Sequence, residues 1–217
     1  MTHGRRTAAV AVMMAGVLSM LTGCGEPALL GDELFDQARK VNFAYKAAVA
    51  DVQLQLFDGE WTLEGYGDSP DQCGDDGYMF RLGRSTPFEW RFEGSPAEAG
   101  ERIAAWLDEN GWSDIKTRTY SGDVDNVLVE AEKPDSHVAL LTIDFNPGQR
   151  SDMITINADS TCEPGDWLDL IESFRPGVST GESVPTKDDR TTEAPTDKPS
   201  FGYNDDGTPR FWGDEGD

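Results

Sequence analysis

The sequence predicts an α+β fold, in which helices pack on one face of an antiparallel β-sheet meander and a disordered C-terminal tail follows. Three observations support this prediction. A capped amphipathic helix begins after Ser95, the hydrophobic period changes to two after Trp112, and the composition turns polar from Val178 onward. Helices repeat their apolar positions every 3.6 residues and half-buried strands every two.

The first element is a helix predicted between Leu29 and Gln55. Its apolar positions form a stripe close to the helical period, and neither Pro nor Gly interrupts the run after Gly31. Asp32 suits the N-cap or the first turn of this helix. We expect the helix to pack on the sheet, although its place near the N-terminus is also suited to a connection between a membrane and the domain.

Two strands are predicted next, over Trp61–Tyr66 and Tyr78–Gly83, separated by a loop rich in Asp, Gly and Pro that contains Cys73. Thr86–Phe92 either continues the second strand after Pro87 or forms another short strand.

The second helix has the clearest local signals in the chain. Ser95 suits the N-cap, Pro96 the first helical position, and Glu98 the third position of a capping box. Gly111 follows as the residue that ends the helix in a left-handed conformation.

Four period-two runs then predict a meander. They cover Ile115–Tyr120, Asn126–Glu132, Val138–Phe145 and Met153–Ala158, and the connections between them are short. Short connections join antiparallel strands, because parallel strands need a long crossover.

A last helix is predicted from Pro164 to Phe174, and the chain from 177 to 217 is predicted to be a disordered acidic tail rich in Pro and Thr. A segment of this composition buries too little apolar surface to offset its chain entropy. The aromatic residues near its end could form a docking motif or a patch that folds back on the domain. The simpler expectation is a disordered tail in which these aromatic residues are scattered.

The N-terminus has the pattern of a secretory signal, with Arg5 and Arg6 followed by an uncharged apolar run. The run ends in Leu21-Thr22-Gly23-Cys24, which resembles the lipobox of bacterial lipoproteins. The resemblance implies cleavage between Gly23 and Cys24 and a diacylglyceryl group on Cys24. An ordinary cleaved signal with a chance cysteine is the alternative. The predicted organisation is therefore a signal peptide (1–23), a lipidated linker (24–31), the α+β domain (32–176) and the tail (177–217).

The charge of the chain excludes some partners. The sequence has 18 Lys and Arg against 41 Asp and Glu, and cleavage of the signal removes two arginines, which takes the net charge from −23 to −25. Nucleic acids and anionic lipid surfaces are bound by basic groups. We therefore expect no nucleic-acid partner, and we expect lipid rather than charge to hold the protein at the membrane.

The remaining cysteines are Cys73 and Cys162. If Cys24 carries lipid, a Cys73–Cys162 disulfide is the one intramolecular pairing left, and exported proteins occupy compartments where disulfides persist. Two free thiols or a metal site are the alternatives, but the sequence has no CxxC motif.

No catalytic or cofactor motif stands out, and we predict no catalytic residue, metal or cofactor. His137 is the one histidine after the signal. The acid-rich loop that begins at Asp68 and the run at Asn204 do not match the spacing of an EF-hand. Six cations on predicted strands and helices suggest either an anion or partner patch or ion pairs with nearby acids; they are Arg81, Arg84, Arg91, Arg102, Lys116 and Arg118.

The layout of lipobox, leading helix, Ser-Pro-x-Glu helix, meander and late cysteine resembles the small cell-surface lipoproteins of actinobacteria. The resemblance implies an extracytoplasmic, membrane-anchored protein. We expect its domain to bind an envelope protein or a small ligand without catalysis. An accessory or chaperone-like factor and a hydrolase that uses paired carboxylates are the alternatives.

Overall fold

The computed structural model describes residues 30–120, 125–175, 177, 180–181 and 185–211. The signal peptide, Gly23, Cys24 and most of the predicted linker lie outside these residues. The described part contains three α-helices, α1 (Gly31–Leu56), α2 (Pro96–Glu109) and α3 (Trp167–Phe174), and a 3₁₀ turn at Pro134–Ser136. None of the described helices is both long enough and apolar enough to cross a membrane.

A seven-stranded antiparallel sheet forms the centre of the fold, with strand order β10-β1-β4-β8-β7-β6-β5. The predicted α+β class and the meander are confirmed. The strands, in chain order, are β1 (Trp61–Tyr66), β4 (Arg81–Ser85), β5 (Ser113–Thr119), β6 (Val127–Lys133), β7 (Val138–Asn146), β8 (Met153–Ser160) and β10 (Thr192–Glu193).

Two small sheets lie beside the large one. The first has the order β2-β3-β9 and the second pairs β11 with β12. Their strands are β2 (Asp71–Cys73), β3 (Gly77–Met79), β9 (Glu163–Pro164), β11 (Ser200–Tyr203) and β12 (Pro209–Phe211). The segment predicted as one strand over Tyr78–Gly83 is therefore divided at Phe80 between two sheets. Thr86–Phe92 is a loop, because Pro87 lacks a donor for the ladder and Glu89 has a φ of 75°.

One face of the large sheet forms the core. Val129, Ile143 and Ile156 lie side by side in register on β6, β7 and β8, and all three are buried. The helices cover this face through the buried sides of α1 and α2. Gly100 allows α2 to approach closely, since a Cβ there would lie 2.7 Å from Val127.

The start of α2 forms as the sequence predicts. The Ser95 hydroxyl accepts a hydrogen bond from Glu98 N at 3.2 Å, and the Glu98 carboxylate accepts one from Ser95 N at 2.8 Å. This reciprocal pairing satisfies two backbone donors that a helix start leaves free. Gly111 then follows the helix with a φ of 77°.

Cys73 and Cys162 form the predicted disulfide, with their Cα atoms 5.8 Å apart. The bond joins the end of β2 to the connection between β8 and β9. β3 lies between β2 and β9 and pairs with both. The disulfide therefore links the two outer strands of the small three-stranded sheet covalently.

The C-terminal segment, defined here as residues 185–211, is folded onto the domain. The expectation of disorder is therefore wrong for these residues, and the alternative that the aromatic residues fold back on the domain holds for Phe201. β10 pairs with the edge strand β1, and Leu63 N donates to Thr191 O at 2.9 Å. Phe201 is only 2% exposed. Composition missed this because the order of the segment depends on partners distant in sequence, a sheet edge and an aromatic pocket, which offset its chain entropy. The domain therefore extends beyond the predicted boundary at 176.

Candidate functional site

A cluster of buried and half-buried charges lies where α1, β4 and the C-terminal segment meet. We call it the ionic cluster. Its members are Lys46, Asp68, Arg84, Asp188, Arg190 and Glu193. Each cation contacts a carboxylate within the cluster, as buried charges require.

Lys46 extends from α1 to the Asp68 carboxylate, and the two side chains are 10% and 5% exposed. The ammonium also donates to Ser200 O at 2.9 Å, and the Ser200 hydroxyl donates to Asp68 at 2.8 Å. Burial lowers the pKa of Lys46 to about 7, with nearby Glu193 opposing the shift and Arg84 adding to it. The contact with the Asp68 carboxylate acts against this shift and favours the charged pair.

Arg84 lies on the core side of β4, level with Ile156 on β8, and is 4% exposed. Its guanidinium donates to Glu193 at 2.7 Å and to the carbonyl oxygens of Gly83 and Gly65. Burial lowers the pKa of Arg84, and Glu193 opposes the shift. Arg84 therefore joins the C-terminal segment to the centre of the sheet.

Arg190 and Asp188 form the third pair, with guanidinium-to-carboxylate distances of 2.5 and 2.9 Å. Burial would raise the pKa of Asp188, but the hydrogen bonds from Arg190 outweigh it and the pKa is lowered. The Arg190 guanidinium also lies 5.6 Å from the Tyr66 ring and 5.2 Å from the Phe211 ring. Removal of one partner of a buried pair leaves an uncompensated charge and typically costs about 3–5 kcal/mol.

A pocket of about 240 Å³ opens beside the ionic cluster, between α1 and the C-terminal segment. Its charged lining includes Lys46, Arg84 and Glu193. The rest is mainly apolar, and the C-terminal segment supplies part of the wall. The remaining lining residues are Phe43, Ala47, Ala50, Asp51, Gln53, Leu54, Leu82, Ala194, Pro195, Asp197 and Pro199.

A second pocket, of about 200 Å³, lies near the C-terminal end of α1 and is lined by Trp90, Phe92 and Arg102 among others. The Arg102 guanidinium already donates to Glu93 O at 3.0 Å. We therefore take the pocket beside the ionic cluster, which has several polar groups within an apolar lining, as the candidate site.

The residues singled out by sequence lie largely outside this pocket. Cys24 is not among the described residues, and the Cys73–Cys162 disulfide belongs to the small sheet. His137 Nδ1 lies 2.8 Å from Glu163 and 3.3 Å from Thr161, next to the disulfide. The described residues contain no group of three or more His, Cys, Asp or Glu arranged to hold a metal.

For the six cations, the expected ion pairs with nearby acids, rather than an anion or partner patch, describe five of them. Each contacts its own carboxylate: Arg81 with Asp159, Arg84 with Glu193, Arg91 with Asp152, Lys116 with Asp114 and Arg118 with Glu130.

Lys46, Gln53 and Glu193 were not predicted as site residues from the sequence, and Asp68 was predicted only as part of an acid-rich loop. A usable signal existed for Arg84, because it follows Leu82 at the strand period of two and therefore shares its face. No comparable signal exists for Glu193, whose partner lies 109 positions away.

A scan against protein-family models found no matching family, and a search of curated proteins found no match. Among solved structures, the chain is similar to the crystal structure of a DUF4853 family protein from Actinomyces odontolyticus, determined at 2.65 Å resolution. The sequence identity is 17%, the match covers 64% of this chain and 72% of that chain, and the TM-score is 0.36. A match this weak assigns no function to the pocket.

Proposed function

We propose that the protein is a bacterial cell-envelope lipoprotein, anchored by lipid on Cys24 to the outer face of the cytoplasmic membrane, whose domain binds a small ligand without catalysis. The observation that carries the binding proposal is the pocket between α1 and the C-terminal segment. Pockets with an apolar lining and a few convergent polar groups are the usual sites of small-molecule binding.

The anchor is supported by the sequence motif, which places the lipid a short chain length from the domain. α1 begins at Gly31, seven positions after Cys24. A chain of this length reaches at most about 25 Å when fully extended. Two acyl chains give stable attachment, and the acidic first turn of α1, with Asp32 and Glu33, offers no attraction to an anionic surface.

Binding is favoured over hydrolysis by the state of the carboxylates at the pocket. Glu193 is held by Arg84 at 2.7 Å, and Asp68 contacts Lys46. A general acid or base must hydrogen-bond the reacting group of a substrate, whereas both of these carboxylates are already engaged by a cation. The other two carboxylates of the lining, Asp51 and Asp197, are exposed to solvent. The geometry therefore supports a binding site better than a pair of buried catalytic acids.

The anchor is tested by Cys24→Ala. We expect this variant to incorporate no labelled fatty acid and to remain uncut between Gly23 and Cys24, because the thiol that receives the lipid is missing. The measurement is metabolic labelling with an alkynyl fatty acid, together with intact mass. The double variant Cys73→Ala/Cys162→Ala is the control and should label normally. Labelling of Cys24→Ala equal to that of the natural protein would refute the anchor.

The binding site is tested by Ala50→Phe, which places a ring in the pocket. We expect the exported chain, purified from its native host and examined by native mass spectrometry, to carry a small molecule that the variant lacks. Ala97→Phe, on the exposed first turn of α2, is the matched control and should retain it. The same bound mass in both variants, or no bound mass in the natural protein, would contradict the proposal.

A further inference from the structure

The polar groups of the pocket indicate the charge of its ligand. Its two cations, Lys46 and Arg84, are already paired with Asp68 and Glu193. Arg84 also donates to backbone carbonyl oxygens, so its donors are largely used. An anionic ligand would have to displace a buried carboxylate from one of these pairs, which would leave that carboxylate uncompensated.

Two further carboxylates line the pocket without a cation partner among the described residues. Asp51 on α1 has no ion pair there, and Asp197 accepts a hydrogen bond from Ala194 N at 2.8 Å. With Glu193 they give the pocket lining three carboxylates against two cations, Lys46 and Arg84. The net charge of the whole chain, −23, is negative like that of the pocket lining. The electrostatic field of a negatively charged protein attracts cations.

Gln53 provides an independent indication of a ligand. It lines the pocket and is only 6% exposed, and its side-chain amide makes no hydrogen bond within the part of the chain that the structure describes. The amide is not among the fully buried polar groups, so the solvent it contacts is that of the pocket. A ligand with a hydroxyl or amino group would supply the missing partner.

The remaining lining limits the size and hydration of the ligand. Phe43, Leu54 and Leu82 are apolar and suit a compact hydrocarbon body better than a fully hydrated ion. The pocket has a volume of about 240 Å³ and is partly open to solvent. Aromatic rings such as that of Phe43 also bind organic ammonium groups.

We propose that the pocket binds a small organic ammonium cation with a compact apolar body and a hydrogen-bonding group, the cation near Asp51 and Asp197 and the hydrogen bond at Gln53. This inference rests on the proposed binding function and specifies the chemical class of its ligand.

Three probes of nearly equal shape test the charge. They are choline, its neutral isostere 3,3-dimethylbutan-1-ol, and the anion 3,3-dimethylbutanoate, each titrated calorimetrically into the purified natural protein kept in solution with detergent. We expect choline to bind at least about tenfold more tightly than the alcohol. We expect the anion not to bind.

Variants then assign the groups. Asp51→Asn/Asp197→Asn should weaken choline about tenfold and leave the alcohol unchanged, whereas Asp58→Asn/Asp75→Asn, with exposed acids outside the pocket, should change neither. Gln53→Leu should weaken choline and the alcohol alike. Circular dichroism shows whether each variant is folded, and an unfolded variant is replaced by Asp51→Asn alone.

The outcomes separate the two proposals. Equal binding of alcohol and choline, or tighter binding of the anion, would overturn the cation inference and leave the pocket as a binding site, provided that Ala50→Phe abolishes that binding. Failure of all three probes to bind would also overturn the cation inference. The binding function is judged separately, by whether native mass spectrometry finds a bound small molecule that Ala50→Phe lacks.

Discussion

Replacing Cys73 and Cys162 together with alanine should lower the free energy of unfolding by about 4 kcal/mol. The disulfide spans 89 positions, and a closed loop of that length removes much of the conformational entropy of the unfolded chain. Urea denaturation of the exported chain, followed by tryptophan fluorescence, measures the change. Since β2, β3 and β9 are short, the bond is also the main covalent support of their sheet.

A reducing agent provides the control for this prediction. It should destabilise the natural protein to the level of the double variant and leave the double variant unchanged, since that variant has no bond to reduce. A double variant as stable as the oxidised natural protein would show that the disulfide contributes nothing to the folded state.

Phe201→Ala should lower the free energy of unfolding by about 3–5 kcal/mol, the range for removal of a buried aromatic side chain. The Phe201 ring lies 5.1 Å from that of Phe35, 5.4 Å from Phe174 and 5.7 Å from Phe80. These residues come from α1, α3 and the stretch between β3 and β4. Their contacts with Phe201 therefore hold the C-terminal segment against the core.

Loss of the Phe201 ring should also loosen the C-terminal segment before the rest of the domain unfolds. Trypsin should then cut after Arg190, which Thr191 follows, faster than in the natural protein. Phe88→Ala is the matched control, because the Phe88 side chain is 78% exposed and its loss should change stability by less than about 0.5 kcal/mol. If Phe201→Ala matches this control in both measurements, the segment does not depend on its aromatic contacts.

The second helix and the meander could be predicted because their signals are local. Ser95, Pro96 and Glu98 lie within one helical turn, and the structure contains the capping box that this spacing predicts. The meander strands are indicated by apolar residues at every second position and by short connections, and the buried residues of the strands follow that period. The disulfide could be predicted because the lipobox leaves Cys73 and Cys162 as one pair.

The candidate site could not be predicted in the same way. Lys46, Arg84 and Glu193 come from a helix, a strand and the C-terminal segment, and each is an ordinary charged residue in its own stretch of sequence. Burial and pairing give them their role, and pairing between groups as far apart as Arg84 and Glu193 is set by the packed fold. The same holds for Gln53, whose missing partner is visible only once the pocket is formed.

By itself the sequence therefore determined the helices, the meander and the motif that predicts a lipid anchor, because these depend on neighbours along the chain. It also determined the Cys73–Cys162 disulfide, because only these two cysteines remain once Cys24 is assigned to lipid. Only the tertiary structure decided that residues 185–211 belong to the domain and that they enclose a pocket over buried charges. The physical reason is that polar residues gain order only when a distant surface supplies hydrogen bonds, opposite charges and an apolar cavity for a residue such as Phe201.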